Sequence, residues 1–398
     1  MRMTERIAQI AAETSSIRNL LSIGSADDQT FLREGAGGGE RLAGRMKESQ
    51  VLVLAELLAD VYERRRESYI LKEAMSTSDF PYLFGDVLYR QLLGAYNTVP
   101  VSYPGYFRIM DVTDFRTMKM YTIDGGGARL SQVAEYAPYP ETTFTEGKYE
   151  LSVAKYGRRY GISFEMLVND DLNAFRSRPM VMATGARRSE EYLAASMLVD
   201  ASGLHASYFT VGNANIITSN PPLSTAALQT AFTQLTNMVD SDGEPIIING
   251  VNLIIAPGDK VLAENILQAN TIRTTLAAYG GATGLELESN NWMKNAVQLH
   301  INPYLRTIAT GLSTNPWFLE ANPNDMTQRP AFMFGFLRGR RNPQLWVKDP
   351  NAQSLGGGSS SVAEGDFDTD SINYKLRHIF GAAQGDPKMC VGSDGKGS

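Results

Sequence analysis

Three histidines, one cysteine and an adjacent pair of aspartates are the residues with the best claim to chemistry in this chain. His205, His300 and His378 are scattered, and none has the spacing of a metal-ligand set. Each reads as a packing or surface residue. Cys390 has no second cysteine to pair with, so it reads as an incidental thiol, and a disulfide framework within one chain is excluded. Asp170-Asp171 admits a general acid/base or divalent-cation reading. Neighbouring side chains on a segment entering a helix point in different directions, however, so capping of the helix amides is the better reading. Gly35–Gly39 follows no strand and lacks the Lys-Ser/Thr ending of a phosphate loop. Gly392–Ser398 has a Gly-Lys step but no helix after it to hold a phosphate. No Gly-x-Ser-x-Gly elbow is present. The expectation is no catalytic, cofactor-binding or metal site, and a protein that is not an enzyme. The best basic clusters are Arg187-Arg188 and Arg338-Gly339-Arg340-Arg341. They read first as partners for inter-subunit carboxylates and second as contacts for DNA phosphates.

The chain has 398 residues, 43% of them apolar, enough for a sizeable core and for two or three domains. The formal net charge of -6 argues against a dedicated nucleic-acid binder, although it leaves room for weak contact. The start of the chain lacks a signal-peptide core, and no apolar run approaches the roughly 18 residues of a membrane span. A soluble chain made in the cytoplasm is expected.

The elements that would position these residues fall into distinct stretches. Ile7, Ile10, Ala11, Ile17 and Leu21 recur at helical spacing, and Gly35–Gly39 reads as a linker. An amphipathic helix spans about 40–75, its Glu63–Glu67 charged run reading as a solvated face. That arm either lies along a neighbouring subunit or packs on its own chain. A short helix covers about 87–96, with Leu88, Leu92 and Tyr96 four apart. From Val99 to about Gly161 the period turns extended. Asp124–Gly127 reads as a turn. The strands Tyr136–Phe144 and Tyr149–Ile162 are expected to pair as a long projection. It has so few apolar residues to bury that it should lean on another subunit. A helix follows from Asn169–Leu172 to about Val199. Beyond it the pattern is α/β: a helix over 224–239 capped by Ser224, and strands at 246–248 and 251–255 around an Asn249-Gly250 type I′ hairpin. A helix over 259–267 and strands at 297–301, 317–320, 332–337 and 372–380 complete it. Leu355–Ser361 reads as a loop, and the tail from Gly392 as flexible.

Read in order, these parts resemble the tailed-bacteriophage major capsid proteins of the Hong Kong 97 type, a fold shared with encapsulin shells. The resemblance rests on Val133–Tyr139, on Tyr156–Glu165 with Asn169–Leu172, on Trp317–Pro323, on Phe336–Gly339 followed by Pro343, and on Tyr374–His378 with Phe380-Gly381. It covers about 77–391, and the wording is closest to capsid proteins sometimes encoded fused to a prohead protease.

The resemblance implies an α+β fold in consecutive parts. These are a helical N-terminal arm or scaffolding-like segment (1–75), the start of a peripheral domain (76–113) and an extended β loop (114–161). A spine-helix region (162–200), an axial α/β domain (201–345), a C-terminal return strand and loop (346–391) and a flexible tail (392–398) follow. It implies hexamers and pentamers of an icosahedral shell around double-stranded DNA, in a virion assembled in the host cytoplasm. The implied partners are further copies of the chain, a portal protein, packaged DNA by weak contact, and a scaffolding protein, prohead protease or decoration protein. No membrane is implied. On this resemblance the candidate inter-subunit contacts are Glu135, Tyr139, Lys148, Lys155, Arg158, Arg159, Arg187, Arg188 and Glu190. Some family members crosslink Lys to Asn. Lys148 and Lys155 lie on the projecting strands, but nothing in the sequence singles out a catalyst or a partner Asn. An encapsulin-like compartment shell and a soluble enzyme with an unrecognised site are the competing readings.

Overall fold

A computed structural model describes residues 89, 92–124, 132–136, 139, 145–163, 172–240, 242–275, 286–294, 296–324, 329–348 and 371–397. The expected helices at 4–21 and 40–75, the Gly35–Gly39 linker, the turn glycines 125–127, Asp170-Asp171 and the Leu355–Ser361 loop lie outside them. The chain forms two units, each assembled from separated stretches.

In the first unit, residues 92–98 are helical. Leu92 and Tyr96, one turn apart, are buried with Ala183, Ala186 and Leu376. Ala183 and Ala186 belong to α1 (Leu172–Leu198), which contributes its residues through Arg187 to this unit and the rest to the other. The sheet of this unit sets β4 (Ala154–Ser163) and β13 (Gln344–Val347) against the first half of β14 (Ser371–Gln384). β13 runs antiparallel to β14, with Gln344 opposite Arg377 and Trp346 opposite Lys375.

The second unit carries most of the core. Its four-stranded sheet has the order β10 (Val297–Ile301), β7 (Val251–Ile255), β11 (Trp317–Ala321), β15 (Cys390–Ser393). β7 and β11 are buried along their whole length, as continuous apolar runs require. α2 (Thr225–Thr236) buries Ala227, Leu228, Ala231 and Leu235, and its Ser224 cap accepts from the Ala227 amide. α3 (Lys260–Gln268), the short α4 (Leu305–Ile308) and the hairpins β5 (Val199–Asp200)–β6 (Gly203–Leu204) and β8 (Thr271–Thr275)–β9 (Glu286–Asn290) surround it. A second layer pairs β1 (Arg108–Val112) in parallel with β12 (Phe332–Leu337), and β12 with the later half of β14. Tyr103 stacks on Phe334 at 4.4 Å, and Phe334 on Phe380 at 5.8 Å. Among the described residues no helix is long and apolar enough to cross a membrane.

Three expectations change. The Asn249-Gly250 hairpin does not form: residues 247–250 are not strand, and neither Asn249 nor Gly250 takes the positive φ that a type I′ turn needs. Both edges of β7 are filled from afar instead, by β10 in parallel and β11 antiparallel. The projecting hairpin pairs differently where it is described, most of its expected strand 136–144 lying outside the described residues. β2 (Met118–Asp124) joins β3 (Thr145–Leu151), while β4 leaves the ribbon after Ser152 and Val153 to pair with β14. Finally, Gly392 and Ser393 are not tail. They belong to β15, which is buried and pairs with β11, and the Gly397 amide donates to the Asn220 carbonyl.

Gly381 on β14 shows how tightly the second layer is built. A Cβ there would collide with the backbone carbonyl of Ser152, which no rotamer change can move. Gly381→Ala is expected to cost about 1–3 kcal/mol, the usual range for overpacking, read as a lower urea midpoint with an unchanged slope.

Candidate inter-subunit surface

The β2–β3 ribbon pairs Met118 with Leu151 at one end and Asp124 with Thr145 at the other. Of its described side chains only Leu151 is buried. Tyr121 is 68% exposed, and beyond the strands Tyr136 and Tyr139 are 99% and 86% exposed. Large aromatics left in water are the residue type that anchors protein interfaces, because each buries much area at little rotamer cost. Lys148 lies opposite Tyr121 and forms an exposed ion pair with Glu150 at 3.1 Å. Such a pair contributes little alone and is free to exchange partners. Glu135 is exposed as well.

The remaining candidates divide by strand and helix geometry. On β4, Lys155, Arg158 and Arg159 are all exposed, and alternation puts Arg158 and Arg159 on opposite faces. Tyr160 stacks on Tyr374 at 5.1 Å. Lys155 and Arg159 therefore lie on the opposite face of the sheet, with Asn373, Lys375 and Arg377. On α1, Arg187 is half-buried. Its Nε donates to the Tyr96 carbonyl at 2.9 Å, and its guanidinium sits 3.6 Å from the centre of the Tyr96 ring. Arg188, one step round the helix, is exposed.

Glu190 is a correction. It is fully buried and accepts from the Tyr103 hydroxyl at 2.9 Å, so it offers no surface to a neighbour. Glu191 joins it inside the same unit. Its carboxylate accepts from the Ser102 hydroxyl, from the Ser102 amide at 3.0 Å and from the Tyr103 amide at 3.5 Å. Asn302 extends the network by donating to the Tyr106 hydroxyl at 2.8 Å. Burial raises the Glu191 pKa, a shift that the Ser102 and Tyr103 hydrogen bonds oppose. The signal was in the spacing: Glu191 falls three, four and seven residues before Ala194, Ala195 and Leu198, and Glu190 four before Ala194 and eight before Leu198, all buried.

Sequence reasoning also missed Glu320. It sits in the wholly buried strand β11, opposite Asn252 on one side and Cys390 on the other. Neither carboxylate oxygen has a hydrogen-bond partner, nor does Asn252 Oδ1. Burial raises its pKa well above the ordinary carboxylate range. A charged residue inside the run Trp317–Ala321 was its only trace in the sequence. His300 is half-buried against Gly105 and Tyr106, with its pKa lowered by burial. His378 is buried beside Tyr96. Among the described residues no three His, Cys, Asp or Glu side chains group as a metal site.

A family model described as phage capsid protein matches residues 148–392. No curated protein matches the sequence. Among solved structures, one from Mycobacterium phage Bobi is 12% identical, covering 77% of this chain and 91% of its own, with a TM-score of 0.44. The capsid structure of Cyanophage P-SCSP1u is 10% identical, covering 73% of this chain and 87% of its own, at 0.41. A virus-like particle from Pyrococcus furiosus is 11% identical, covering 77% of this chain and 97% of its own, at 0.33. All three scores lie below 0.5, so kinship rests on the family model.

Proposed function

Because the chain belongs to the phage capsid protein family, and so is a structural component of a bacteriophage virion, we propose that it is the major head subunit of a tailed phage. Its copies associate as hexamers and pentamers that close into an icosahedral shell around double-stranded DNA. In this reading the chain has the Hong Kong 97 type of architecture. Residues 1–75 are a helical arm or scaffolding-like segment, and 76–113 open a peripheral domain. The extended loop is 114–161, the spine-helix region 162–200 and the axial domain 201–345, with a return strand and loop in 346–391. The shell assembles in the host cytoplasm and receives a portal protein, and a scaffolding protein, prohead protease or decoration protein is a further partner.

The observation that carries the reading is the β2–β3 ribbon, among whose described side chains only Leu151 is buried and Tyr121 is exposed. A two-stranded ribbon with no core of its own is marginal in water, and a neighbouring copy supplies the missing cover. Glu135, Tyr139, Lys148, Arg158 and Arg188 are the residues proposed to face neighbours, whereas Lys155 and Arg159 lie on the opposite face of the sheet from Arg158. A 27-residue helix, α1, crosses from one unit into the other and suits a spine.

The expected result for the purified full chain is megadalton closed particles by light scattering and electron microscopy. A monomer or small oligomer under all assembly conditions would sink the proposal. Particles recovered from an infected host filled with protein cargo, with neither DNA nor a portal vertex, would replace it with a compartment shell.

A further inference from the structure

Among the described residues, the face of the β4–β14–β13 sheet opposite Tyr160 and Tyr374 carries cations and no carboxylate. Lys155 and Arg159 on β4, Lys375 and Arg377 on β14, and Trp346 on β13 share it by strand alternation and register. Arg159 and Lys375 are exposed, and Trp346 is 47% exposed. At its centre two guanidiniums converge on one neutral oxygen: Arg377 Nη2 donates to Gln344 Oε1 at 2.6 Å and Arg340 Nη1 donates to the same atom at 3.0 Å. The Arg377 guanidinium lies 4.9 Å from the Trp346 ring centre and Lys375 Nζ lies 5.9 Å from it. Arg377 Nε is buried and has no hydrogen-bond partner. A shared amide oxygen satisfies two N–H groups but neutralises neither charge. Among the described residues of this unit there is no Asp or Glu.

We propose that this face binds the phosphate backbone of nucleic acid, with Arg340 and Arg377 as a two-arginine clamp and Arg159 and Lys375 as flanking contacts. This rests on the shell reading, which places nucleic acid within reach of the subunit. Guanidinium forks match phosphate oxygens two at a time, and the Trp346 face holds Arg377 in place from one side. Alternate residues on one strand stand about 7 Å apart and adjacent strands about 5 Å apart, so three strands offer a grid over which several phosphates find a cation. A docking face for a folded neighbour would be expected to intersperse both signs of charge, and the described side chains of this one do not. The overall charge of -6 is compatible with the assignment, because phosphate contacts depend on the local charge of the face and not on the net charge of the chain.

The test is fluorescence anisotropy of a labelled duplex of about 20 base pairs with the full chain before assembly, at increasing salt. The wild type is expected to bind with an affinity that falls steeply with salt. The double variant K375Q/R377Q should weaken binding about tenfold and flatten the log–log salt slope by about two, and R159Q should flatten it by about one. R159Q changes an exposed side chain and covers the case in which the double variant misfolds. Wild-type affinity and slope in both variants would overturn the proposal. Unchanged DNA binding with lost assembly would also overturn it and assign the face to a neighbouring copy. The absence of wild-type particles would sink the shell reading separately, because the anisotropy reads the unassembled chain.

Discussion

Replacing residues 125–144 with a two-residue Asn-Gly turn, so that Asp124 connects directly to Thr145, is expected to leave a folded chain that forms no closed shells. Asp124 and Thr145 are already register partners, and Asn-Gly closes a two-residue type I′ hairpin, so the shortened ribbon keeps its strand pairing. The deletion removes Glu135, Tyr136 and Tyr139, all exposed, and takes nothing from either described core. Stability should therefore change by less than about 1 kcal/mol. Assembly should fail altogether, because each contact recurs at every subunit boundary of a closed lattice and its loss is multiplied. Thermal unfolding and electron microscopy of the same preparation separate the two effects. Wild-type particles from the shortened chain would show that the ribbon is not what neighbours hold. A milder version, Tyr139→Ala, should raise the concentration needed for assembly without moving the unfolding midpoint.

The second large effect is expected at Glu320, and its sign follows from burial. The folded pKa lies above the ordinary glutamate value of 4.5. Between those values the folded chain holds a proton that the unfolded chain has released. Unfolding then becomes easier as pH rises, by up to about 1.4 kcal/mol for each pH unit within that window, and the dependence flattens above the folded value. The titratable groups facing it, Tyr106, Tyr208 and Cys390, are neutral or anionic and cannot supply a compensating positive charge, and burial raises the pKa of each. Glu191, also raised by burial, pushes in the same direction. Glu320→Met should stabilise the chain at neutral pH by about 1–3 kcal/mol, since an unpartnered buried carboxyl is exchanged for an apolar group of similar size. It should also lessen the fall in stability as pH rises above 4.5. Denaturant midpoints across that range decide the matter. A Met variant less stable than wild type at pH 8 would mean that the carboxyl has a partner inside the fold.

Much of the fold was legible because apolar runs and caps act locally. The Ser224 cap, the strands at 297–301, 317–320 and 332–337, and the helix that ends near Val199 follow from propensity and burial pattern over a few residues. The order of those parts also carried the resemblance to phage capsid proteins, and the family match over 148–392 agrees with it. The absence of catalytic motifs narrowed the chemistry but could not by itself say what the chain builds.

The tertiary structure decided pairing and facing. Asn249-Gly250 is a strong local turn signal, yet the edges of β7 are taken by strands tens of residues away, because a fully buried strand gains more from two long neighbours than from one hairpin. Alternation through Tyr149–Tyr156 reads as one strand, yet the ladder changes partner at Ser152-Val153, where β3 ends and β4 begins. Gly392 reads as the start of a tail until β11 presents an open edge for it to complete. Glu190 reads as surface charge until Tyr103, far back in the chain, supplies the hydroxyl that lets it stay buried. The basic clusters were visible as letters, but only the β4–β14–β13 register set Arg159, Lys375 and Arg377 on one face. Sequence alone marked the helix capped by Ser224 and the strands at 251–255, 297–301, 317–320 and 332–337, because those depend on neighbours a few residues away. Which strands meet and which charges share a face depended on contacts between distant residues, and only the folded chain supplies those.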